Sequence, residues 1–224
     1  MRKDVQRHFS EKAAVYDSNR RNLIPNFDEF YRVGVDALAC NKPDPRVLDI
    51  GAGTGLSTLY LLQRFPQARV TLLDFSQEML AVAQERFTNN PNISFITGDY
   101  RSHPLEGPFD VVISGLSIHH LSFEEKQELT KRIFGLLVPT GEFFNADMVK
   151  GQSEALEQEM NRREEKFLRQ ALTEEEVQRF FQGSQYMDIP ITLAEHLTLL
   201  REAGFKVVDC IYRYWIYGVF YGQR

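Results

Sequence analysis

A chain of 224 residues is long enough to bury a substantial core, and its 43% hydrophobic and 25% charged residues are ordinary for a soluble globular domain. A formal net charge of −5 disfavours a large nucleic-acid-binding surface. Cys40 and Cys210 follow no metal-ligand or redox spacing, and we find neither a signal-peptide core nor a long apolar run. We therefore expect a cytoplasmic protein without a metal site that binds neither nucleic acid nor a membrane.

Short apolar runs alternate with helical patterns through the first two thirds of the chain. Strands are predicted over 46–50, 69–74, 93–99, 109–114 and 141–149, and helices over 56–65, 77–88 and 123–137. Ser76, Ser122 and Thr173 precede helical patterns as N-caps, the last two in capping boxes. This alternation indicates an α/β fold, in which a parallel sheet is covered by helices on both faces.

The segment 151–183 interrupts this alternation. Its apolar residues favour one face of each of two helices, which would lie over the carboxyl ends of the sheet. A substrate lid and an ordinary packing hairpin both explain this pattern. Residues 199–224 then predict a helix, a turn at Gly204, and two strands that reverse near Gly218.

Gly51, Gly53 and Gly55 connect the first strand to its helix. Glycine allows a tight turn and a close approach, and the backbone N–H groups of a helix N-terminus can face a nucleotide-type ligand. The spacing G-x-G-x-G departs from the G-x-G-x-x-G of dinucleotide sites, and a tight connection alone would also explain it. Asp74 ends the second strand 23 residues after Gly51, at the distance of a ribose-binding acid. Asp99 ends the third strand, where it can face an adenine amine.

These segments together resemble the class I S-adenosylmethionine-dependent methyltransferases. The matching stretches, in order and spacing, are VLDIGAGTGL, LLDFS, GDY, FDVVISGLSIHHL and LLVPTGEFFNAD, and LLREAGFKVV agrees with the family's last helix and strand. The resemblance implies a doubly wound, mostly parallel, seven-stranded Rossmann-like sheet with an antiparallel C-terminal hairpin. It implies one domain, with residues 1–30 as a helical cap and 151–190 as an inserted lid. It also accounts for the glycine spacing, because S-adenosylmethionine has no pyrophosphate.

The resemblance also implies a set of cofactor contacts. Asp49, Gly51, Ala52 and Gly53 would contact the methionine end, Asp74 and Phe75 the ribose, and Met79, Asp99 and Tyr100 the adenine. Ser114, Gly115 and Leu116 would edge the sulfonium. The stretch FSEKAAVYD looks like the cap of small-molecule methyltransferases, so Tyr16 would close over the cofactor and Arg20 or Arg21 would meet its carboxylate.

Methyl transfer is an in-line displacement, so positioning and exclusion of water supply most of the acceleration, and a base is needed only when the acceptor must lose a proton. His119, His120 and Asp147 are the candidates, although packing roles also explain them. Positions 114–117 lack the Asn/Asp-Pro-Pro-aromatic motif of amine methyltransferases, and no cysteine lies near the fourth strand. We therefore expect a small-molecule acceptor. The sequence does not decide whether O, N, S or C is methylated, nor whether the chain forms a homodimer.

Three alternatives remain. The C-terminal half also resembles the carboxy-S-adenosylmethionine synthases, although their arginine for the extra carboxylate would fall near Leu199. A nicotinamide-linked oxidoreductase would need the glycine spacing that Gly55 breaks. A non-catalytic S-adenosylmethionine-binding module is disfavoured by the intact set of Gly51, Asp74 and Asp99.

Overall fold

The computed structural model describes residues 16–224. Two helices, α1 (Tyr16–Leu23) and α2 (Phe27–Asp36), precede the strand–helix alternation. That alternation runs β1 (Arg46–Ile50), α3 (Leu56–Arg64), β2 (Arg69–Asp74), α4 (Gln77–Arg86), β3 (Ile93–Thr97), β4 (Phe109–Gly115), α5 (Phe123–Leu136) and β5 (Leu137–Lys150), with a 3-10 turn at Ile118–His120. The chain ends with α6 (Glu154–Leu168), α7 (Glu174–Met187), β6 (Ile191–Thr192), α8 (Leu193–Ala203), β7 (Val207–Tyr214) and β8 (Tyr217–Gln223).

The main sheet has the order β3-β2-β1-β4-β5-β8-β7. Strands β1 to β5 pair in parallel, and β8 lies antiparallel to both β5 and β7. The predicted mostly parallel sheet with an antiparallel C-terminal hairpin is confirmed, and the short β6, which pairs with the end of β5, adds to it. The strand order reverses direction between β1 and β4, where ligands bind outside the carboxyl ends of the strands.

The core is divided between the two faces of the sheet. Successive side chains of a strand point to opposite faces, so Val47 packs on one face and Leu48 on the other. Phe30 of α2 and Leu61 of α3 cover the first face, whereas Ile133 of α5 covers the second. Each fully buried side chain of this kind contributes about 1.5–3 kcal/mol. The sheet is therefore a rigid base for its strand ends.

The local signals for helix starts are confirmed. The Ser76 side chain accepts from the Met79 N–H at 3.2 Å, and the capping boxes that begin at Ser122 and Thr173 are both complete. A third capping box, formed by Thr192 and Glu195 at the start of α8, was not predicted. Among the described residues, no helix combines the length and apolarity needed to cross a membrane.

The C-terminal reversal lies a few residues before the predicted position. The chain turns at Trp215, whose φ is 51°, and Gly218 lies within β8. The predicted reversal near Gly218 is confirmed, and Gly218 itself serves packing instead of turning the chain. A Cβ there would approach Val149 Cγ2 to 2.9 Å.

Candidate functional site

The turn between β1 and α3 holds Gly51, Gly53 and Gly55 at φ values of 64°, 54° and 80°. Residues with a Cβ rarely adopt this left-handed region. Space is also short, since a Cβ on Gly51 would lie 1.8 Å from Ser117 Oγ. Both the backbone conformation and the packing of the turn therefore require glycine, and the turn leaves a crevice with backbone walls.

Asp74 links the end of β2 to this glycine turn. Its Oδ2 accepts from the Gly53 N–H at 2.9 Å, and its Oδ1 accepts from the Ser76 N–H at 2.8 Å. Burial raises the pKa of Asp74 to about 6, against the opposing effect of these backbone hydrogen bonds. The carboxylate is thus ionised at neutral pH and stands at the lip of the crevice.

The crevice has a volume of about 40 Å³ in this structure. The residues of its wall that were predicted to contact a cofactor are Gly51, Ala52, Gly53, Asp74, Phe75, Met79, Gly115 and Leu116. Tyr31, Ser57, Ser117 and His120 also line it, and the first three were not singled out from the sequence. Residues of β2, β4, α2 and the turn after β1 are thus brought together at the switch point of the sheet.

Helix α1 is fastened to the glycine turn. Thr54 Oγ1 donates to Asp17 Oδ1 at 2.6 Å, and Arg86 pairs with the same carboxylate. Arg86 also donates to the Thr54 carbonyl at 2.7 Å, and burial lowers its pKa. These contacts hold α1 close to the turn.

Three further predicted residues support the crevice from below. The Asp49 carboxylate is fully buried and accepts from Thr58 Oγ1 at 2.7 Å, whereas its Oδ1 has no hydrogen-bond partner among the described groups. Burial raises the pKa of Asp49 to about 7. Ser114 Oγ donates to the Ile50 carbonyl at 3.0 Å, and the buried Tyr100 hydroxyl donates to the Ser117 carbonyl at 3.3 Å.

Two predicted cofactor residues are engaged elsewhere. Asp99 pairs with Arg101 at 2.6 Å, and Arg21 makes two hydrogen bonds of 3.0 Å to Asp28. Neither belongs to the described walls of the crevice, because a nearer residue of opposite charge holds each side chain. Arg20, the other arginine considered, lines a neighbouring cavity. The stretch FSEKAAV and the Tyr16 side chain lie outside the described residues.

That neighbouring cavity has a volume of about 370 Å³. Its walls come from α1, α7 and the strand ends, and they include Leu23, Met148, Arg179, Phe180 and Met187. Leu116 and His120 line both the cavity and the crevice. Leu116 has a φ of 52°, a strained value of the kind that is concentrated at functional sites. The two spaces therefore meet at the end of β4.

His119 and Asp147 form a buried pair beside this junction. His119 Nδ1 lies 2.5 Å from Asp147 Oδ1, and Asn145 Nδ2 donates to Asp147 Oδ2 at 3.1 Å. Burial alone would raise the pKa of Asp147, but the charge and hydrogen bond of His119 outweigh it and lower the pKa to about 2. Asp147 therefore holds the Nδ1 side of the His119 ring, and Nε2 is the ring nitrogen that points away from this carboxylate.

Asp188, at the end of α7, completes the group and was not predicted. Its Oδ1 lies 3.1 Å from His120 Nδ1 and 3.5 Å from His119 Nε2. The hydrogen bond from His120 outweighs the effect of burial and lowers the pKa of Asp188 to about 2, while burial lowers the pKa of His120 to about 4. No sequence motif marks Asp188, because only the fold, which places the end of α7 beside the histidines, brings it close to them.

A second unpredicted residue, Lys126 of α5, secures this arrangement. Its buried ammonium donates to the Ile189 carbonyl at 2.8 Å and to the Leu121 carbonyl. The Ile189 N–H in turn donates to the His119 carbonyl at 2.8 Å. Burial lowers the pKa of Lys126 to about 8. The segment that follows α7 is therefore attached to the histidine turn through both backbone groups of Ile189.

Comparisons with known proteins agree with this geometry. The methyltransferase domain family matches residues 47–141. The malonyl-[acyl-carrier protein] O-methyltransferase of Halalkalibacterium halodurans is 34% identical over 149 residues, which cover 61% of this chain and 52% of that protein. The chain thus matches about half the length of that relative. The carboxy-S-adenosyl-L-methionine synthase of Helicobacter hepaticus is 24% identical over 237 residues, covering 100% of this chain and 98% of the relative.

The fold has counterparts among solved structures. A structure described as a DhpI-SAM-HEP complex superposes with a TM-score of 0.65 at 20% identity, and the match covers 96% of this chain and 93% of that one. At this identity the likeness concerns the fold. The sheet order, the glycine turn with Asp74 and the family match agree: residues 47–141 belong to the methyltransferase domain family, and the fold is that of the class I S-adenosylmethionine-dependent methyltransferases.

Proposed function

We propose that this chain transfers the methyl group of S-adenosylmethionine to an oxygen atom of a small-molecule acceptor. The observation that carries the proposal is the junction of two spaces at Leu116 and His120, with His119 Nε2 beside it. The smaller space would hold the cofactor and the larger one the acceptor. A volume of about 370 Å³ lies within the range of small-molecule sites.

The crevice has the chemistry that the cofactor needs. Asp74 would accept the ribose hydroxyls, Phe75 and Met79 would flank the adenine, and the backbone at Gly51 and Gly53 would take the methionine end. The unpartnered Oδ1 of Asp49 lies beneath that end and suits its ammonium group. When bound, S-adenosylmethionine supplies an electrophilic methyl group. Because the crevice is narrow here, it must widen to admit the cofactor.

The chain's own residues would then position the acceptor and remove its proton. His119 Nε2 accepts the proton of the acceptor hydroxyl, and the ionised Asp147 stabilises the resulting imidazolium. We further propose that one domain does this work, with α1 as its cap and α6 and α7 as its lid, so that water is excluded during transfer. Apolar side chains such as Leu23, Met148 and Phe180 line the cavity, which favours an acceptor with an apolar part.

Substitution of His119 tests the mechanism. In His119→Asn the amide can still donate to Asp147 but cannot take the acceptor proton, so we expect turnover to fall by roughly 10²–10⁴ with little change in cofactor affinity. Transfer of labelled methyl to a panel of hydroxy and carboxylic acids measures the first quantity, and calorimetry with S-adenosylhomocysteine measures the second. Unchanged turnover would remove the base from the mechanism, and a large loss of affinity would make His119 a support of the binding loop.

A second candidate function is carboxy-S-adenosylmethionine synthesis. It is favoured by the similarity to the Helicobacter hepaticus relative along the whole chain. Against it, the position considered for a carboxylate-binding arginine is Leu199, which is buried in α8. Mass spectrometry of the ligand that co-purifies separates the candidates: carboxy-S-adenosylmethionine supports the synthase, and S-adenosylmethionine supports methyl transfer. Cofactor binding without turnover of any acceptor would indicate a non-catalytic module.

A further inference from the structure

We propose that His119, His120 and Asp188 bind a divalent first-row transition-metal ion at the junction of the crevice and the cavity. The three side chains each offer one ligand atom, and these atoms lie within 4.8 Å of one another. Two imidazole nitrogens and one carboxylate oxygen form a ligand set that suits Zn²⁺ and Co²⁺. The sequence showed no such site because Asp188 follows His120 by 68 residues and only the fold brings them together.

The separations fit the geometry of a coordinated ion. On a tetrahedral ion with bonds of about 2.0–2.1 Å, two ligand atoms lie roughly 3.3 Å apart. Asp188 Oδ1 lies 3.1 Å from His120 Nδ1 and 3.5 Å from His119 Nε2. An ion can therefore enter between the carboxylate and the two rings with shifts of a few tenths of an ångström for these two pairs.

Neighbouring groups orient the ligand atoms. Asp147 holds His119 Nδ1 at 2.5 Å and so directs Nε2 toward Asp188, in the carboxylate–histidine–metal arrangement. Ser184 Oγ donates to Asp188 Oδ2 at 2.5 Å, which leaves Oδ1 for the ion. The attachment of Ile189 to the His119 carbonyl fixes the backbone next to Asp188.

The local charge also favours a cation. Asp147 is fully buried and the Asp188 side chain is only 12% exposed, so two carboxylates flank the His119 ring with little access to water. Buried charges need a partner of opposite sign. The ammonium group of the nearby Lys126 donates its hydrogen bonds to backbone carbonyls. A divalent ion would neutralise the pair.

All three ligands line the larger cavity, so a fourth coordination position would face it. Three protein ligands with one open position are typical of catalytic rather than structural metal sites. Where the proposed function also holds, an acceptor hydroxyl bound there would lose its proton more readily, and His119 would act as a ligand instead of a base. Metal binding itself does not depend on that function.

Cobalt titration tests the site directly. The full chain is treated with a chelator, dialysed and titrated with CoCl₂, and the visible absorption of four-coordinate Co²⁺ is followed, then displaced with ZnCl₂. We expect one ion per chain. Asp188→Asn and His120→Asn should each weaken binding by at least tenfold. Asp147→Asn keeps all three ligands but removes a buried charge and changes the hydrogen bond that orients His119, so it should weaken binding roughly 10–100-fold.

Glu176→Gln is the matched control, because this residue lines the same cavity without belonging to the cluster and its capping box survives the change. It should bind Co²⁺ as the parent chain does. Ser184→Ala provides a milder variant that keeps every ligand, with weaker binding expected. Absence of stoichiometric binding, or equal binding by Asp188→Asn, would overturn the site. Calorimetry with S-adenosylhomocysteine on the same variants distinguishes two outcomes. If only the metal site is wrong, cofactor binding remains; if the proposed function is wrong, cofactor binding itself is lost.

Discussion

Asp49 and Asp74 show how one physical cause acts on two neighbouring strand ends. Burial raises the pKa of both carboxyl groups, to about 7 and about 6, and the charge of Asp74 adds to the effect on Asp49. Asp49 lies under the turn, where its charge is not needed by any described cation, whereas Asp74 stands at the lip. The first carboxyl group therefore concerns stability most directly, and the second concerns ligand binding.

Stability should depend on the protonation of Asp49. Because its folded pKa is above the unfolded value, its favourable contribution is complete below about pH 4 and is lost as the pH rises through about 7. Asp49→Asn removes the cost of the buried charge, so its free energy of unfolding at pH 8 should exceed that of the parent by roughly 2–4 kcal/mol. At pH 4 the difference should vanish. Urea denaturation at pH 4, 6 and 8 measures it, with the exposed Asp36→Asn as the control; equal stability at pH 8 contradicts the assignment.

Cofactor affinity should depend on Asp74 in the opposite sense. A ribose-binding carboxylate must be ionised, so the affinity for S-adenosylhomocysteine should fall as the pH is lowered through about 6. Asp74→Asn should weaken binding by about 1.5–3 kcal/mol at pH 8, the size of a charged hydrogen bond, and should lose most of this pH dependence. Calorimetry at pH 8, 6.5 and 5.5 gives both quantities. Unchanged affinity in the variant would place the ribose elsewhere.

At the scale of elements, α1 contacts the site through Asp17, and α7 contacts it through Asp188 and Ile189 at its end. Asp17 joins α1 to Thr54 and Arg86, and the segment after α7 is joined to His119 through Ile189. The start of α7 has mostly solvent-exposed contacts such as the pair of Arg169 with Glu174. Elements held in this way are suited to open and close.

Hydrogen exchange with and without S-adenosylhomocysteine measures that motion. We expect amides of α1 and of the first two turns of α7 to gain protection when the ligand binds, because closure depends on it. Amides in the middle of β4 and α5, which lie in the core, serve as the internal control. Equal protection of α1 and α7 in both states would make them ordinary packing helices.

The elements that were predicted well are those whose signals are local. Strand–helix alternation, N-caps and the glycine turn each depend on residues within a few positions of one another, so they could be found without the fold. Gly218 could not be told apart from a turn residue, because a glycine that leaves room for the Val149 side chain has the same sequence signal as one that turns the chain. The two-residue β6 exists only because β5 extends beyond the sheet to meet it.

At the scale of the whole molecule, the topology brings the strand ends together but does not decide where each side chain points. The crevice residues at Gly51, Asp74 and Leu116 could be predicted because the carboxyl ends of parallel strands share one edge of the sheet. The positions of the Asp99 and Arg21 side chains could not be predicted in this way, because each side chain pairs with a neighbouring residue of opposite charge. Asp188 required the path of α7 across the cavity.

The same topology gives the last prediction, which concerns the choice of ligand. In the dinucleotide fold a pyrophosphate lies against the helix N-terminus and the third glycine allows close helix–strand packing. Here the third glycine comes one position early, and a Cβ on it would lie 2.6 Å from Phe87, so Gly55 serves the contact with α4.

We therefore expect S-adenosylhomocysteine to bind and NAD not to bind. At 100 times its dissociation constant, S-adenosylhomocysteine should stabilise the chain by about 2.7 kcal/mol, which raises the melting temperature by roughly 5–10 °C for a chain of this size. NAD at the same concentration should leave the melting temperature unchanged, and the Asp74→Asn variant should show a smaller shift with S-adenosylhomocysteine. A shift produced by NAD alone would contradict both the choice of ligand and the role of the glycine spacing.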